Sequence, residues 1–477
     1  MSKEYTRTHG IEIAHQIVDH PIAKQAIQQQ GHLDLSVWDF AGQHEYYNNH
    51  HYFLQSRSIF LILYKLNEQR DSEKGLKGLS FWFKSLSCHL KQDPNEPKPS
   101  FSIVVIGTHL DHESVKKDQQ KKQEREEQVK KLAKESGISV RIEYKEVSCA
   151  TMENMKDLEE NIYRLALGHS YMGERIPKSY LIIEQVIEEM KEKKAREKDI
   201  PIVSVDSVLE ERKKMPMEKS LVQRALTLLK EWGKCIYFDS SSSLSNIVVL
   251  DPQFLTQDVL AQLFNINPSL QDKRRNGIIN HKDLSSFWNK FSSRSDFEQL
   301  CQNLIELMEN FEVCFVLEED KQKPFYEQRS LVPSLLPSSI PSQLETSWPK
   351  SIPYDTVEIN KEFQFNVILN EMVSRLFVRL HTFMGEKMIW REGIYFLKGG
   401  QQGNQDELKG LLQVNMAENK LSLSIRGKDK DICEGMFNVI KQHISSIVSI
   451  YPGVSFKDID VTGSIASKQG QFLSLSL

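Results

Sequence analysis

An aspartate, a glycine and a glutamine follow a predicted strand near the start of the chain. Alternating apolar residues over 33–37 are typical of a half-buried strand, which leads into Asp39, Gly42 and Gln43. An aspartate at the end of such a strand can hold Mg²⁺ through water, and a glycine three residues later lets its N–H group approach a phosphate. The glutamine is then placed to orient an attacking water. An ordinary strand-to-loop corner explains the same residues, so this stretch alone leaves both interpretations open.

Polar residues also end two later strands, which the apolar segments 101–107 and 140–147 predict. Asp111, after the first strand, can accept hydrogen bonds from the N1–H and 2-amino groups of guanine. The backbone after the second strand can offer an N–H group to the guanine carbonyl. Taken alone, an aspartate in this position is more typical of a helix cap. The residues at these two strand ends are Thr108, His109, Asp111, Ser148 and Cys149.

Strands and helices alternate through the first part of the chain. This alternation predicts a parallel sheet with helices on both faces, in which ligands bind at the carboxyl ends of the strands. The polar residues described above all follow strand ends, so we expect them to meet at one edge of the sheet. The predicted strands span 8–18, 33–38, 58–64, 101–107 and 140–147, and the predicted helices span 79–90, 114–136 and 158–167.

The order and spacing of these motifs resemble the second half of a Ras-like GTPase, and two motifs are more specific. The Trp-Asp-Phe-Ala-Gly-Gln sequence that begins at Trp38 and the Thr-His-x-Asp sequence that ends at Asp111 resemble the Roc domain of the Roco family. The resemblance implies a site for GTP or GDP with Mg²⁺ as cofactors. It assigns catalysis to Gln43, metal binding to Thr8 and Asp39, and nucleotide binding to Asp39, Gly42, Thr108, His109, Asp111, Ser148 and Cys149.

The phosphate-binding loop of such GTPases, Gly-x-x-x-x-Gly-Lys-Ser/Thr, is not found in this sequence. The Gly-Lys pairs at 233–234 and 427–428 are followed by Cys235 and Asp429 instead. We therefore do not expect tight GTP binding, and GTP hydrolase activity stays open. The strand that precedes this loop is central in the fold, so its loss would leave two interior strand edges unpaired. We expect an N-terminally truncated piece of a longer Roco protein, with a free-standing degenerate GTPase as the alternative.

The rest of the chain resembles the COR domain, which follows Roc in Roco proteins. The segments 247–252 and 329–337 resemble recurrent COR sequences, and Arg375–Leu380 resembles the Arg-Leu-x-x-Arg-Leu signature. The expected fold class is α/β, an incomplete Ras-like parallel sheet followed by an α+β COR region. The expected domains are a partial Roc domain without its phosphate loop at 1–170, a helical, winged-helix-like COR half at 175–335, and a COR half with an antiparallel sheet and a helix at 340–477.

The composition excludes several other classes of protein. Of the 477 residues, 26% are charged, and the net charge of -4 gives no general reason to expect nucleic-acid or membrane binding. The six cysteines lie far apart without a Cys-x-x-Cys pair, which favours reduced thiols and a cytoplasmic location. No apolar run approaches the roughly 20 residues of a membrane span. The predicted wing contains Asp and Ser without a basic cluster, which argues against DNA binding.

Two functions from different classes fit these features. The first is a guanine-nucleotide switch in signal transduction, whose COR region couples the nucleotide state to the arrangement of a homodimer. The homodimer and further protein partners are implied by the family resemblance. The second is a nucleotide-independent scaffold or dimerisation protein derived from a degenerate GTPase.

Overall fold

The structure is a computed structural model that describes most of the chain. The described residues are 11–18, 33–40, 53–69, 72, 75–92, 100–116, 121–211, 217–237, 245–264, 272–381, 385, 387–399, 407–460, 464–466 and 472–474. Those up to residue 261 form one compact unit and those from 262 onward form a second. Within these ranges, no helix is long and apolar enough to cross a membrane.

A three-stranded parallel sheet lies in the first unit. Its strands are β3 (Ile59–Lys65), β4 (Ser102–Thr108) and β5 (Ile142–Glu146), with β4 in the centre. The register places Ile62 of β3 beside Val105 of β4. Each strand lies within two residues of its predicted span, and the predicted α/β class with a parallel sheet is confirmed.

Helices cover both faces of this sheet. They are α1 (Leu76–His89), α2 (Glu113–Lys116), α3 (Lys122–Glu135) and α4 (Met155–Gly168). Ile103 and Val105 of β4 pack in the cluster with α1 and α3, whereas Val104 and Ile106 pack in the cluster with α4. A strand that is apolar on both sides needs this double cover. The sequence predicted one helix over 114–136, where the structure describes α2 and α3.

The first two strands form a separate antiparallel hairpin. β1 (Ile11–Val18) pairs with β2 (Leu33–Phe40) and with no other described strand. β2 pairs with β1 on one edge, and β3 pairs with β4 on one edge. Among the described residues, the opposite edge of each of these two strands has no partner strand. Leu61 and Leu63 of β3 are 42% and 60% exposed.

The second part of the first unit has the element order of a winged-helix unit. Its elements are α5 (Lys178–Arg196), β6 (Ile202–Ser204), α6 (Val205–Glu211), α7 (Lys219–Glu231), β7 (Ile236–Tyr237) and β8 (Ile247–Val249). The three strands pair antiparallel in the order β6, β8, β7. Val186, Ala225 and Leu226 from the helices and Val248 from the sheet lie in one buried core. The winged-helix-like arrangement predicted from the sequence is therefore observed.

A π-helix, Phe254–Leu260, follows the wing. The N–H group of Ala261 donates to the carbonyl of Thr256, five residues earlier, instead of the residue four positions back. The sequence predicted an ordinary helix through Phe264. The apolar pattern of the sequence cannot distinguish a π-helix from an α-helix, because it does not specify which residues the backbone hydrogen bonds join.

The second unit begins with helices and a small antiparallel sheet. The sheet has the order β10 (Phe315–Val316), β11 (Arg329–Leu331), β9 (Ile278–Asn280). The helices are α8 (Leu284–Phe287), α9 (Phe297–Asn310) and α10 (Leu344–Ser347). One face of α9 is almost wholly buried, with Leu300, Cys301 and Leu304 at its centre.

A large antiparallel sheet with two helices completes the second unit. Its strands are β12 (Val357–Phe365), β13 (Lys387–Trp390), β14 (Gly393–Lys398), β15 (Leu408–Asn415), β16 (Lys420–Gly427), β17 (Phe456–Asp460), β18 (Ser464–Ala466) and β19 (Phe472–Ser474). The helices are α11 (Asn370–His381) and α12 (Lys430–Val448). Phe363 of β12 stacks on Phe437 of α12, with ring centroids 5.7 Å apart. The predicted sheet and covering helix are both present.

The Arg-Leu-x-x-Arg-Leu signature has a structural role in this unit. Arg375 and Arg379, one helical turn apart on α11, both reach the carboxylate of Glu312, at 3.5 and 2.6 Å. Arg379 also donates to the hydroxyl of Ser446 on α12, at 2.9 Å. The signature thus ties α11 to α12 and to the turn that follows α9.

A buried polar network joins the parallel sheet to α3. The Tyr64 and Tyr144 hydroxyls are 2.7 Å apart, and Tyr144 donates to Glu146 at 2.6 Å. Arg125 of α3 binds both oxygens of Glu146, at 2.7 and 3.0 Å. Burial raises the pKa of Tyr64 to about 12, so this hydroxyl stays a donor at neutral pH. Arg125 therefore neutralises the carboxylate of Glu146, which lies beside the two tyrosine hydroxyls.

Replacement of Arg125 should destabilise the first unit far more than replacement of an exposed lysine on the same helix. Arg125→Met leaves Glu146 buried without a cation, which costs about 3 kcal/mol of unfolding free energy. Lys130→Met removes only the exposed pair with Glu126, at 2.6 Å, and should cost about 0.5 kcal/mol or less. Urea denaturation followed by circular dichroism measures both. Equal effects of the two variants would contradict this role for Arg125.

Candidate nucleotide-binding site

The first loop of the candidate site begins where β4 ends. The Thr108 hydroxyl donates to the carbonyl of Tyr64 at 3.1 Å, which anchors the end of β4 to β3. The same hydroxyl lies 2.9 Å from Nδ1 of His109. Because its single proton goes to Tyr64, Nδ1 of His109 is the donor in this second bond. His109 has a φ of +63°, a left-handed conformation that turns the chain sharply towards Asp111.

The second loop follows β5 and is tied to the first by two hydrogen bonds. The N–H group of Leu110 donates to the carbonyl of Val147 at 3.2 Å. The Ser148 hydroxyl, which is fully buried, donates to Oδ1 of Asp111 at 2.6 Å. That bond lowers the pKa of the Asp111 carboxyl below its usual range. The two loops therefore present an ionised carboxylate whose orientation is fixed from one side.

The second loop also presents backbone donors. The N–H group of Ser148 donates to the carbonyl of Glu153 at 3.1 Å and is therefore occupied. The N–H groups of Cys149 and Ala150 make no hydrogen bond with any described residue, and Cys149 is exposed. Asn154, with a φ of +60°, closes the loop by donating its side-chain amide to the carbonyl of Glu146 at 2.9 Å. The open donors are those of Cys149 and Ala150, whereas Ser148 acts through its hydroxyl.

This arrangement suits the edge of a guanine base. An ionised carboxylate at Asp111 can accept from N1–H and the 2-amino group together, while an N–H group of the second loop donates to the 6-carbonyl. Adenine has no 2-amino group and has a donor at position 6, so it would leave these protein groups unpaired. A site that loses such bonds to the wrong base discriminates strongly against it.

The residues predicted for phosphate and metal are less completely described. Asp39 lies on β2 opposite Glu12, with an exposed side chain. Thr8, Gly42 and Gln43 lie outside the described residues. Over the ranges that the structure describes, no group of three or more His, Cys, Asp and Glu residues could hold a metal ion. The donor set thus fits the base of a nucleotide, and a donor set for its phosphates and Mg²⁺ is not assembled there.

Sequence reasoning singled out Asp111 and Ser148 as candidates, but it did not single out the residues that hold their two loops in place. Leu110 and Val147 contribute only backbone atoms, so their side chains give no indication of this role. For Asn154 the sequence does indicate a role in a turn, because asparagine is enriched in left-handed conformations. Its contact with β5, however, depends on the folded loop.

Comparisons with known proteins match three parts of the chain. Residues 1–111 match the profile described as "Ras of Complex, Roc, domain of DAPkinase". Residues 177–336 match the COR-A domain and 356–476 the COR-B domain, both described as C-terminal of Roc.

Similar proteins include two that are named as serine/threonine-protein kinases and one that is named as a protease. The chain is 28% identical over 84% of its length to the probable serine/threonine-protein kinase pats1 of Dictyostelium discoideum. It is 24% identical over 64% of its length to leucine-rich repeat serine/threonine-protein kinase 1 of Caenorhabditis elegans. It is 20% identical over 97% of its length to a Roc-COR-CHAT protease from an unknown prokaryotic organism. The chain spans 12%, 13% and 39% of the lengths of these three relatives.

Removal of the Ser148 hydroxyl should raise the pKa of Asp111. Since the hydrogen bond from Ser148 is the main cause of the lowered value, Ser148→Ala should return the pKa towards that of an ordinary aspartate. Base binding, which needs the ionised carboxylate, would then be lost at a higher pH on acidification. Carboxyl ¹³C NMR titration measures the pKa directly. Ser114→Ala, which removes a hydroxyl 2.8 Å from His112, is the control. An unchanged Asp111 pKa in Ser148→Ala would contradict this role.

Proposed function

This chain belongs to the Roco family, with Roc, COR-A and COR-B domains in that order, and on this premise we propose that it is a guanine-nucleotide-binding switch. The observation that supports the proposal is the pairing of Asp111 with Ser148 across two loops of the Roc domain. The open N–H groups at Cys149 and Ala150 complete the donor and acceptor pattern of a guanine edge. In this proposal the COR domains respond to the nucleotide that Roc binds.

Each base-site residue has a distinct part in the proposal. Asp111 accepts from the base, and Ser148 orients and ionises Asp111 through its hydroxyl. Thr108 and His109 shape the turn that presents Asp111, since their side chains bond to Tyr64 and to each other. The N–H group of Cys149 donates to the 6-carbonyl.

For the phosphates and Mg²⁺, the proposal follows the family resemblance. Thr8 and Asp39 would bind the metal, Gly42 the terminal phosphate, and Gln43 the attacking water. No hydrolytic step is assigned to the described residues. The proposed domain limits are 1–170, 175–335 and 340–477, with homodimerisation through the COR domains.

A second candidate function is a nucleotide-independent scaffold or dimerisation protein. Backbone N–H groups of the loop Gly-x-x-x-x-Gly-Lys-Ser/Thr are the main phosphate ligands in such GTPases, and this loop does not occur within the 477 residues. In this case the paired loops would be an inherited structural feature of the sheet edge.

Titration of a fluorescent GTP analogue with Mg²⁺ against the full chain separates the two functions. If the switch proposal holds, the wild-type chain binds with micromolar or tighter affinity, and Asp111→Asn weakens binding at least tenfold. The same variant should gain affinity for the xanthosine analogue, because an amide can donate to the 2-carbonyl that replaces the amino group.

The variant Glu113→Gln is the matched control, because it removes an exposed carboxylate two residues from Asp111, at the start of α2. It should bind the GTP analogue as the wild-type chain does. No binding by the wild-type chain at high protein concentration would favour the scaffold. If both variants bind the GTP analogue and the xanthosine analogue as the wild-type chain does, guanine recognition by Asp111 is contradicted.

A further inference from the structure

The loop that follows β5 is closed by a side chain at its far end. Asn154 donates its side-chain amide to the carbonyl of Glu146, at 2.9 Å. The next residue, Val147, uses its N–H group and its carbonyl on the side of β4, with Gly107 at 2.9 Å and Leu110 at 3.2 Å. The carbonyl of Glu146 therefore faces the other edge of β5, where no described strand pairs. Asn154 thus takes the place of a partner strand at this carbonyl.

The same asparagine does not cap the helix that begins after it. Asn154 is the N-cap residue of α4, yet its side chain accepts no hydrogen bond from the first turn of that helix. Asparagine is preferred at N-caps because its side-chain oxygen accepts such a bond. Here the side chain is turned back to β5 instead, so it serves the loop rather than the helix.

Two left-handed residues fold the loop back on itself. Met152 and Asn154 have φ values of +62° and +60°. Between them, the carbonyl of Glu153 accepts from the N–H group of Ser148, at 3.1 Å. The N–H group of Thr151 donates to the Ser148 hydroxyl, also at 3.1 Å. These bonds occupy the backbone donors before and after the two open N–H groups, which therefore lie on a closed loop.

The loop that carries Asp111 has anchors of its own. The Thr108 hydroxyl ties it to β3, and the N–H group of Leu110 ties it to the end of β5. Both bonds lie outside the segment 148–154 that Asn154 closes. Loss of the Asn154 amide should therefore displace the open N–H groups more than it displaces the Asp111 carboxylate.

We propose that Asn154 is a positioning residue for recognition of the 6-carbonyl of guanine. By closing the loop on the outer edge of β5, its amide fixes the open N–H groups of Cys149 and Ala150 relative to the base. Asn154 then contributes to the choice of base through the backbone, without a contact of its own. This inference rests on the proposed function and deepens it. Asp111 reads one side of the base, and Asn154 acts on the groups that read the other.

The test compares GDP with 6-thio-GDP, in which sulfur replaces the 6-carbonyl oxygen and the N1–H and 2-amino groups remain. Sulfur is a weak acceptor and both nucleotides carry the same phosphates, so the ratio of their affinities measures recognition of the 6-carbonyl. The full wild-type chain should prefer GDP roughly threefold to tenfold. Asn154→Gly, which keeps the left-handed backbone and removes the amide, should reduce this preference to less than about twofold.

Met152→Gly is the matched control, because it places glycine at the other left-handed residue of this loop, whose side chain is 64% exposed. It should keep the wild-type preference for GDP over 6-thio-GDP. IDP, which lacks the 2-amino group, is the control ligand. The ratio of GDP to IDP affinity depends on Asp111 and should be the same in Asn154→Gly as in the wild-type chain. Asn154→Asp, which has the same size and no side-chain donor, replaces the glycine variant if that variant does not fold.

A ratio of GDP to 6-thio-GDP affinity that Asn154→Gly leaves unchanged would overturn the inference, even if both affinities fall, since a merely structural loss affects both nucleotides alike. Equal affinity of the wild-type chain for the two nucleotides would overturn it as well, and so would an equal reduction of the ratio in Met152→Gly. In these cases the proposed function stands. Absence of any nucleotide binding by the wild-type chain would instead remove the proposed function, and the inference with it.

Discussion

Parallel pairing of β4 with β3 and β5 is the constraint on which the candidate site depends. Each parallel strand ends at the same edge of the sheet, so the turns after β4 and β5 must lie side by side. The buried Tyr64, Tyr144 and Glu146 network fixes the spacing of the outer strands just below that edge. The bond between Ser148 and Asp111 can form because this pairing has already brought the two loops together.

The hairpin is subject to a different constraint, because it contacts elements of two domains. Leu35 packs with Tyr163 of α4, and the Trp38 ring lies 5.8 Å from that of Phe53. On the COR-A side, the Thr256 hydroxyl donates to the carbonyl of Ile11 at 3.2 Å, and Gly233 packs against Ser36 and Trp38 of β2. Among the described strands, β1 and β2 pair only with each other, whereas β3, β4 and β5 are held by their mutual pairing.

Local patterns in the sequence predicted the parts of the fold that depend on local burial. Continuous apolar runs located β3 and β4, and the spacing of Leu79, Phe83 and Leu86 located α1, because each pattern reflects which faces are covered. The π-helix was not predicted, since the sequence pattern does not reveal that its backbone N–H groups donate to the residue five positions earlier. Strands β9 and β11 of the small sheet were also missed, because strands of two or three residues are specified by their partners. The contact between Thr256 and Ile11 joins residues 245 apart and follows from packing alone.

In the proposed site, the binding free energy from the base differs in size from that of the phosphates and Mg²⁺. A well-placed pair of hydrogen bonds to a base edge gives discrimination of about 1–3 kcal/mol, whereas micromolar affinity needs about 8 kcal/mol in total. Asp111 and the second loop can therefore decide which base is bound, and they cannot by themselves hold a nucleotide tightly. The remaining free energy must come from contacts with phosphates and Mg²⁺, where charge-assisted hydrogen bonds are strongest. In the proposed switch, Asp111 and the second loop would thus decide the identity of the base, and contacts with the phosphates and Mg²⁺ would decide most of the binding strength.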